Sequence, residues 1–197
     1  MKAISLKPLR FFLYFLLSVS IVACSKDDEN EPDIDVENIL EYNGQSFNLN
    51  YGGLGKTDYD GTHSNYQFHV FQLNEGGDMV PIYLFLDLYS PNEEFKGGTF
   101  EFAAEETDVE GKAFIGNAFL IKNMTVSEEN AEEVAYVVGG TVKVSGSGNN
   151  FELAFDLQTN NDKTIKGSYG GSFESVDEME AVAQGQPMRV IKKLDIK

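Results

Sequence analysis

The chain has 197 residues and a formal net charge of −17, with 32 acidic residues against 15 basic ones. A field of that sign argues against nucleic acid and anionic lipid headgroups as binding partners. One cysteine excludes an internal disulfide framework, and with only two histidines beside it a structural zinc site is a poor fit.

The first element is a leader. Lys2, Lys7 and Arg10 precede a thirteen-residue apolar segment, Phe11–Ala23, and no acid occurs before Asp27. As a helix at ~1.5 Å per residue it covers roughly 20 Å, too short for a hydrocarbon core of about 30 Å. The expectation is a signal peptide over 1–23. Ser20-Ile21-Val22-Ala23-Cys24 then resembles a bacterial lipobox, with Ile21 where Leu is usual. Ser25-Lys26-Asp27-Asp28-Glu29 is similar to the acidic surface-export signal of Bacteroidota lipoproteins. The resemblance implies diacylglycerol on the Cys24 sulfur, cleavage before it and acylation of the new N-terminus. It also implies an outer-membrane protein facing the cell exterior, with no cofactor beyond that covalent lipid. One acyl chain, at ~0.8 kcal/mol per buried CH₂, anchors marginally, whereas two or more anchor stably.

Residues 24–37 follow as a lipidated cysteine and a tether. Ser25–Glu37 carries seven acids against Lys26 alone and has little apolar content, so it is expected to be a disordered, self-repelling spacer. Fully stretched it reaches about 45 Å at most. Loss of Lys2, Lys7 and Arg10 with the leader leaves 12 basic and 32 acidic residues, a mature charge of −20. Residues 38–197 are expected to form one β-rich domain, long enough for a single core.

Within that domain the apolar period is two. Phe47, Leu49 and Tyr51 alternate with Asn48 and Asn50, while Gly52-Gly53-Leu54-Gly55-Lys56-Thr57 reads as a turn. The last four of those residues end like a phosphate-binding loop, but the required earlier glycine is replaced by Asn50. Tyr66–Leu73 and Ile82–Tyr89 suggest a hairpin across Glu75-Gly76-Gly77-Asp78, and Thr99–Phe102 and Phe114–Ile121 add two strands. Val134–Ser145, Phe151–Leu157 and Ile165–Phe173 form a three-strand meander with Gly- and Asn-rich turns. Ser127–Val134 and Ser175–Val182 read as short helices. The pattern predicts an all-β domain, an antiparallel sandwich of about nine strands, with a closed β-barrel as the alternative. The sandwich is favoured because Ile82-Tyr83-Leu84-Phe85-Leu86 is apolar on both faces and calls for cover on each. The glycine-rich segments Lys96–Phe102, Gly139–Gly146 and Ile165–Gly171 are similar to the C-terminal meander of uncharacterised Bacteroidota lipoproteins, which implies a shared scaffold.

Chemistry-bearing residues are few. Asp58 and Asp60 flank Tyr59 before a glycine and are weak calcium-loop candidates, because Thr62 and Ser64 are poor further ligands. Glu105, Glu106, Asp108 and Glu110 form an acidic loop, and His63 and His69 fall in a loop and a strand. There is no Gly-x-Ser-x-Gly elbow, and an acylated Cys24 is no nucleophile. Tyr83, Phe85 and Tyr89 share one face of their strand, opposite Ile82, Leu84, Leu86 and Leu88, and are the candidate ligand contacts. The reading is therefore a lipid-anchored surface module that binds an extracellular polymer, such as a glycan, or an envelope protein without catalysis. The alternatives are a barrel-type carrier of a small apolar ligand and a carboxylate-based hydrolase.

Overall fold

The computed structural model describes residues 32–77, 79–104, 107–125 and 130–176. The expected signal peptide, Cys24 and the expected export signal Ser25–Glu29 lie outside that range, as do Glu105 and Glu106. Eleven strands are present among the described residues: β1 Ile39–Tyr42, β2 Gln45–Asn48, β3 Tyr51–Thr57, β4 Ser64–Gln72, β5 Met79–Ser90, β6 Gly98–Phe102, β7 Phe114–Thr125, β8 Asn130–Ser147, β9 Asn150–Thr159, β10 Thr164–Ser172 and β11 Glu174–Ser175. All belong to one sheet in the order β11-β3-β4-β5-β7-β6-β8-β9-β10-β1-β2. No helix among the described residues is long and apolar enough to cross a membrane.

The all-β expectation holds; the antiparallel sandwich of about nine strands does not. The sheet is mixed, since β6 runs parallel to β7 and β11 parallel to β3. It is also curled, for a reason visible in the chain. Phe173 alone separates β10 from β11, so one stretch of backbone pairs first with β9 and then with β3. The two flanks of the sheet are thereby drawn together around one interior. β7 and β8 pair directly from Phe119–Tyr136 to Thr125–Asn130; beyond that they splay, and β6 fills the gap.

Alternation decides which side chains face inward. Phe151, Leu153, Phe155 and Leu157 of β9 are buried between exposed or half-buried neighbours. Ile82, Leu84, Leu86 and Leu88 of β5 are fully buried in the same core. Each such side chain contributes roughly 1.5–3 kcal/mol by leaving water. Rings fill much of the interior: Phe68 meets Phe151 and Phe173 edge-on at 5.3 Å each, and Tyr66 stacks on Phe95 at 4.2 Å.

Four local expectations are corrected. Gly52–Thr57 is neither turn nor phosphate loop but strand β3, because its glycines let neighbours approach: a Cβ on Gly52 would stand 2.7 Å from Tyr169 Cε1. The run through Phe47, Leu49 and Tyr51 breaks at Leu49–Asn50, where the Asn50 side chain exchanges hydrogen bonds with the Leu73 backbone. Residues 130–134, expected in a helix, open β8, and Ser175 closes β11; residues 127–129 and 177–182 of the two expected helices lie outside the described range. Residues 32–37, expected as the end of the tether, lie against the domain. Ile34 is buried and the Glu37 N–H donates to Ser168 Oγ at 2.8 Å.

Candidate functional site

The loops β3–β4 and β6–β7 emerge at the same end of the sheet, where Ser64 pairs with Ser90 and Tyr89 with Phe114. Between them lies a cleft of about 740 Å³. That volume falls in the range of small-molecule sites.

The first wall is Tyr59–His63. The Asp60 carboxylate accepts hydrogen bonds from the Thr62 N–H and hydroxyl at 2.7 Å each and from the His63 N–H at 2.8 Å, closing a tight turn around Gly61. Those donors, that of His63 first, lower its pKa to about 2, so Asp60 is ionised at neutral pH. His63 is buried, and its Nε2 donates to the Lys112 carbonyl at 3.1 Å, tying this wall to the second.

The second wall is Thr107–Gly111, where the Glu110 N–H donates to Asp108 Oδ1 at 3.2 Å and Lys112 Nζ to the Asp108 carbonyl at 2.9 Å.

The floor is aromatic. Tyr89 and Phe114 stack at 4.7 Å with an interplanar angle of 6°, and His63 meets Phe114 edge-on at 5.2 Å. A bulge makes this stack. Between Asp87–Asn117 and Leu88–Ile115 the β5–β7 register shifts, leaving Gly116 as the extra residue. A Cβ there would stand 2.6 Å from Tyr89 Cε2, so the ring lies where only glycine leaves room. The Tyr89 hydroxyl donates to Asp87 Oδ2 at 3.2 Å, and Asn65 Nδ2 donates to Asp87 Oδ1 at 2.6 Å. Burial raises the Tyr89 pKa to about 12, helped by the Asp87 charge, so Tyr89 remains a neutral donor.

The described lining thus combines three carboxylates (Asp60, Asp108, Glu110) with the rings of Tyr59, His63, Tyr89 and Phe114, and holds no lysine or arginine. Rings of this kind present a flat apolar face with polar edges. The carboxylates accept hydrogen bonds from hydroxyl or amine groups lying on that face.

Of the residues singled out in the sequence, Tyr89, Asp60, His63, Asp108 and Glu110 meet here. Asp58 is exposed in the same loop but is not part of the lining. Tyr83 and Phe85 do not join them. Tyr83 is buried on the outer sheet face with its hydroxyl 2.6 Å from His69 Nδ1, and half-buried Phe85 stacks on Phe119 at 4.9 Å. Tyr59, Thr107, Val109 and Phe114 enter the site without having stood out in the sequence. The available signal was two acid-bearing turns, Asp58-Tyr59-Asp60-Gly61 and Asp108-Val109-Glu110-Gly111, next to strand ends. Among the described residues no cluster of three or more His, Cys, Asp or Glu side chains is placed to hold a metal ion.

The chain matches no protein-family model, no curated protein and no solved structure.

Proposed function

We propose that this chain is a Bacteroidota-type lipoprotein, anchored through Cys24 at the outer cell surface, whose β domain binds an extracellular polysaccharide without transforming it. The observation that carries the reading is the cleft, in which an aromatic floor lies between two carboxylate-bearing loops. A sugar ring offers an apolar face for stacking and hydroxyls for the carboxylates. Asp60, ionised across the physiological range, suits an acceptor and not a proton donor. The leader, the lipobox-like junction and the acidic segment after Cys24 support the anchored, outward-facing placement. A carrier of small apolar ligands is less well supported, because the core rings interlock at 4.2–6.3 Å where its ligand would sit.

The test uses the chain carrying Cys24→Ser, which should leave the membrane fraction and serve as the soluble form. Titration calorimetry against a panel of bacterial and host polysaccharides should find a binder. Tyr59→Ala, at an exposed ring, should weaken that binder roughly fivefold, the worth of about 1 kcal/mol of stacking. Absence of any polysaccharide binder, or binding indifferent to Tyr59→Ala and Asp60→Asn alike, would overturn the reading.

A further inference from the structure

A polysaccharide seated in this cleft meets three carboxylates and, among the described residues, no cationic lining side chain. That balance repels uronic acids, sulfates and phosphates. The Asp60 carboxylate is fixed yet has an oxygen to offer. All three hydrogen bonds it accepts fall on Oδ1, and Oδ2 takes none of them. Asp108 repeats the arrangement, with the Glu110 N–H on its Oδ1 at 3.2 Å. The Lys112 ammonium is turned to the Asp108 main-chain carbonyl at 2.9 Å and is not part of the lining. Asp60 stands on the β3–β4 loop and Asp108 and Glu110 on the β6–β7 loop, and among the described residues they do not converge as a metal site. A divalent cation needs such convergence. An organic ammonium does not, because each N–H can find a separate carboxylate while the charge lies against a ring face. Tyr59, 42% exposed, presents such a face beside the Tyr89–Phe114 stack.

We propose, on the basis of the polysaccharide reading, that the polymer this cleft selects carries free amino groups: a hexosamine polysaccharide with de-N-acetylated residues, its ammonium between the Asp60 and Asp108 walls and its sugar ring on Tyr59. An amino sugar suits the site better than a lysine-rich peptide. Its amine is attached directly to a rigid ring, so the charged contact and the ring contact form together without ordering a flexible side chain. N-acetylation removes the charge and leaves the ring, which separates the two contributions. Because the three carboxylates are exposed, their attraction fades beyond about 8 Å at physiological salt, and selection is confined to an amine seated in the cleft.

Titration calorimetry of the full chain carrying Cys24→Ser, at physiological salt, compares a glucosamine tetramer with its fully N-acetylated counterpart. The free-amine form should bind at least about tenfold more tightly, through charge-assisted hydrogen bonds and the cation–ring contact. Asp108→Asn, and independently Glu110→Gln, should cut that preference at least about threefold while leaving the N-acetylated tetramer unaffected. Asp162→Asn, an equal loss of charge in the β9–β10 turn, should change neither. Equal binding of the two tetramers, or a preference that Asp162→Asn reduces as much as Asp108→Asn does, would overturn the selection for amines. Polysaccharide binding itself would still stand if Tyr59→Ala weakened a neutral polymer, whereas failure of every polysaccharide removes both. An oligolysine of equal charge that binds as tightly as the glucosamine tetramer would also overturn the proposal, since the cleft would then read charge without the sugar.

Discussion

Asp87 faces outward near the end of β5, where its neighbours leave it half-buried. Burial raises its pKa above 3.8, and hydrogen bonds from Asn65, Tyr89 and Gln67 only partly offset that rise. A carboxylate whose folded pKa lies above its unfolded one binds protons more tightly when folded. It therefore lowers stability as pH climbs from 3.8 through the raised value. Asp87→Asn removes that titration while retaining a carbonyl acceptor for Asn65. Urea midpoints measured between pH 4 and 7 should decline less steeply for Asp87→Asn than for wild type. Asp60 has the opposite sign. Its folded pKa of about 2 means that its contribution is present above 3.8 and lost as pH falls toward 2. Two aspartates near one cleft thus titrate in opposite directions because one accepts three hydrogen bonds in solvent and the other is desolvated.

At the scale of the strand, glycine placement decides the register. Val138 bulges out between Val137–Thr159 and Gly139–Gln158, and Gly140 follows at φ +105. A Cβ on Gly140 would stand 2.2 Å from the Asp156 carbonyl, so alanine there must displace the ladder itself. Gly140→Ala should cost at least about 2 kcal/mol, read as a lowered urea midpoint with an unchanged slope. Such positions also mark where sequence reading works and where it stops. β9 and the start of β10 were legible because large apolar residues recur at every second position of β9 and Ile165 stands between polar neighbours in β10. β3 was not, because three glycines in seven residues carry turn statistics, while here they admit Tyr169, Phe173 and Val176. Asn43-Gly44, at φ 51° and 73°, makes the β1–β2 hairpin, but strands of four residues are too short to show a period. In the cleft, the acidic turns were visible one by one. Their convergence was not, because it depends on the Gly116 bulge that sets Tyr89 over Phe114.

For the whole molecule, curvature turns on one aromatic residue. Phe173 is 1% exposed and sits at the step between β10 and β11, its N–H donating to the Asn149 carbonyl at 2.7 Å. Its ring contacts Phe68 of β4, Phe151 of β9 and Tyr169 of β10 at 5.2–6.1 Å. The ring therefore joins both flanks of the sheet to one core, while the backbone on either side of it pairs with β9 and β3. Removing the ring leaves a cavity where the flanks meet, so Phe173→Ala should cost about 3–5 kcal/mol and Phe173→Leu well under half of that. Because the interior is one continuous cluster, wild type should unfold in a single transition by near-ultraviolet dichroism and by tyrosine fluorescence, a usable probe in a chain without tryptophan. If Phe173→Ala costs under about 1 kcal/mol, or if the two probes separate in wild type, closure at this step is not what unifies the sheet. A large loss that Phe173→Leu largely restores would show that filling the step, more than any edge-on ring geometry, holds the two flanks together.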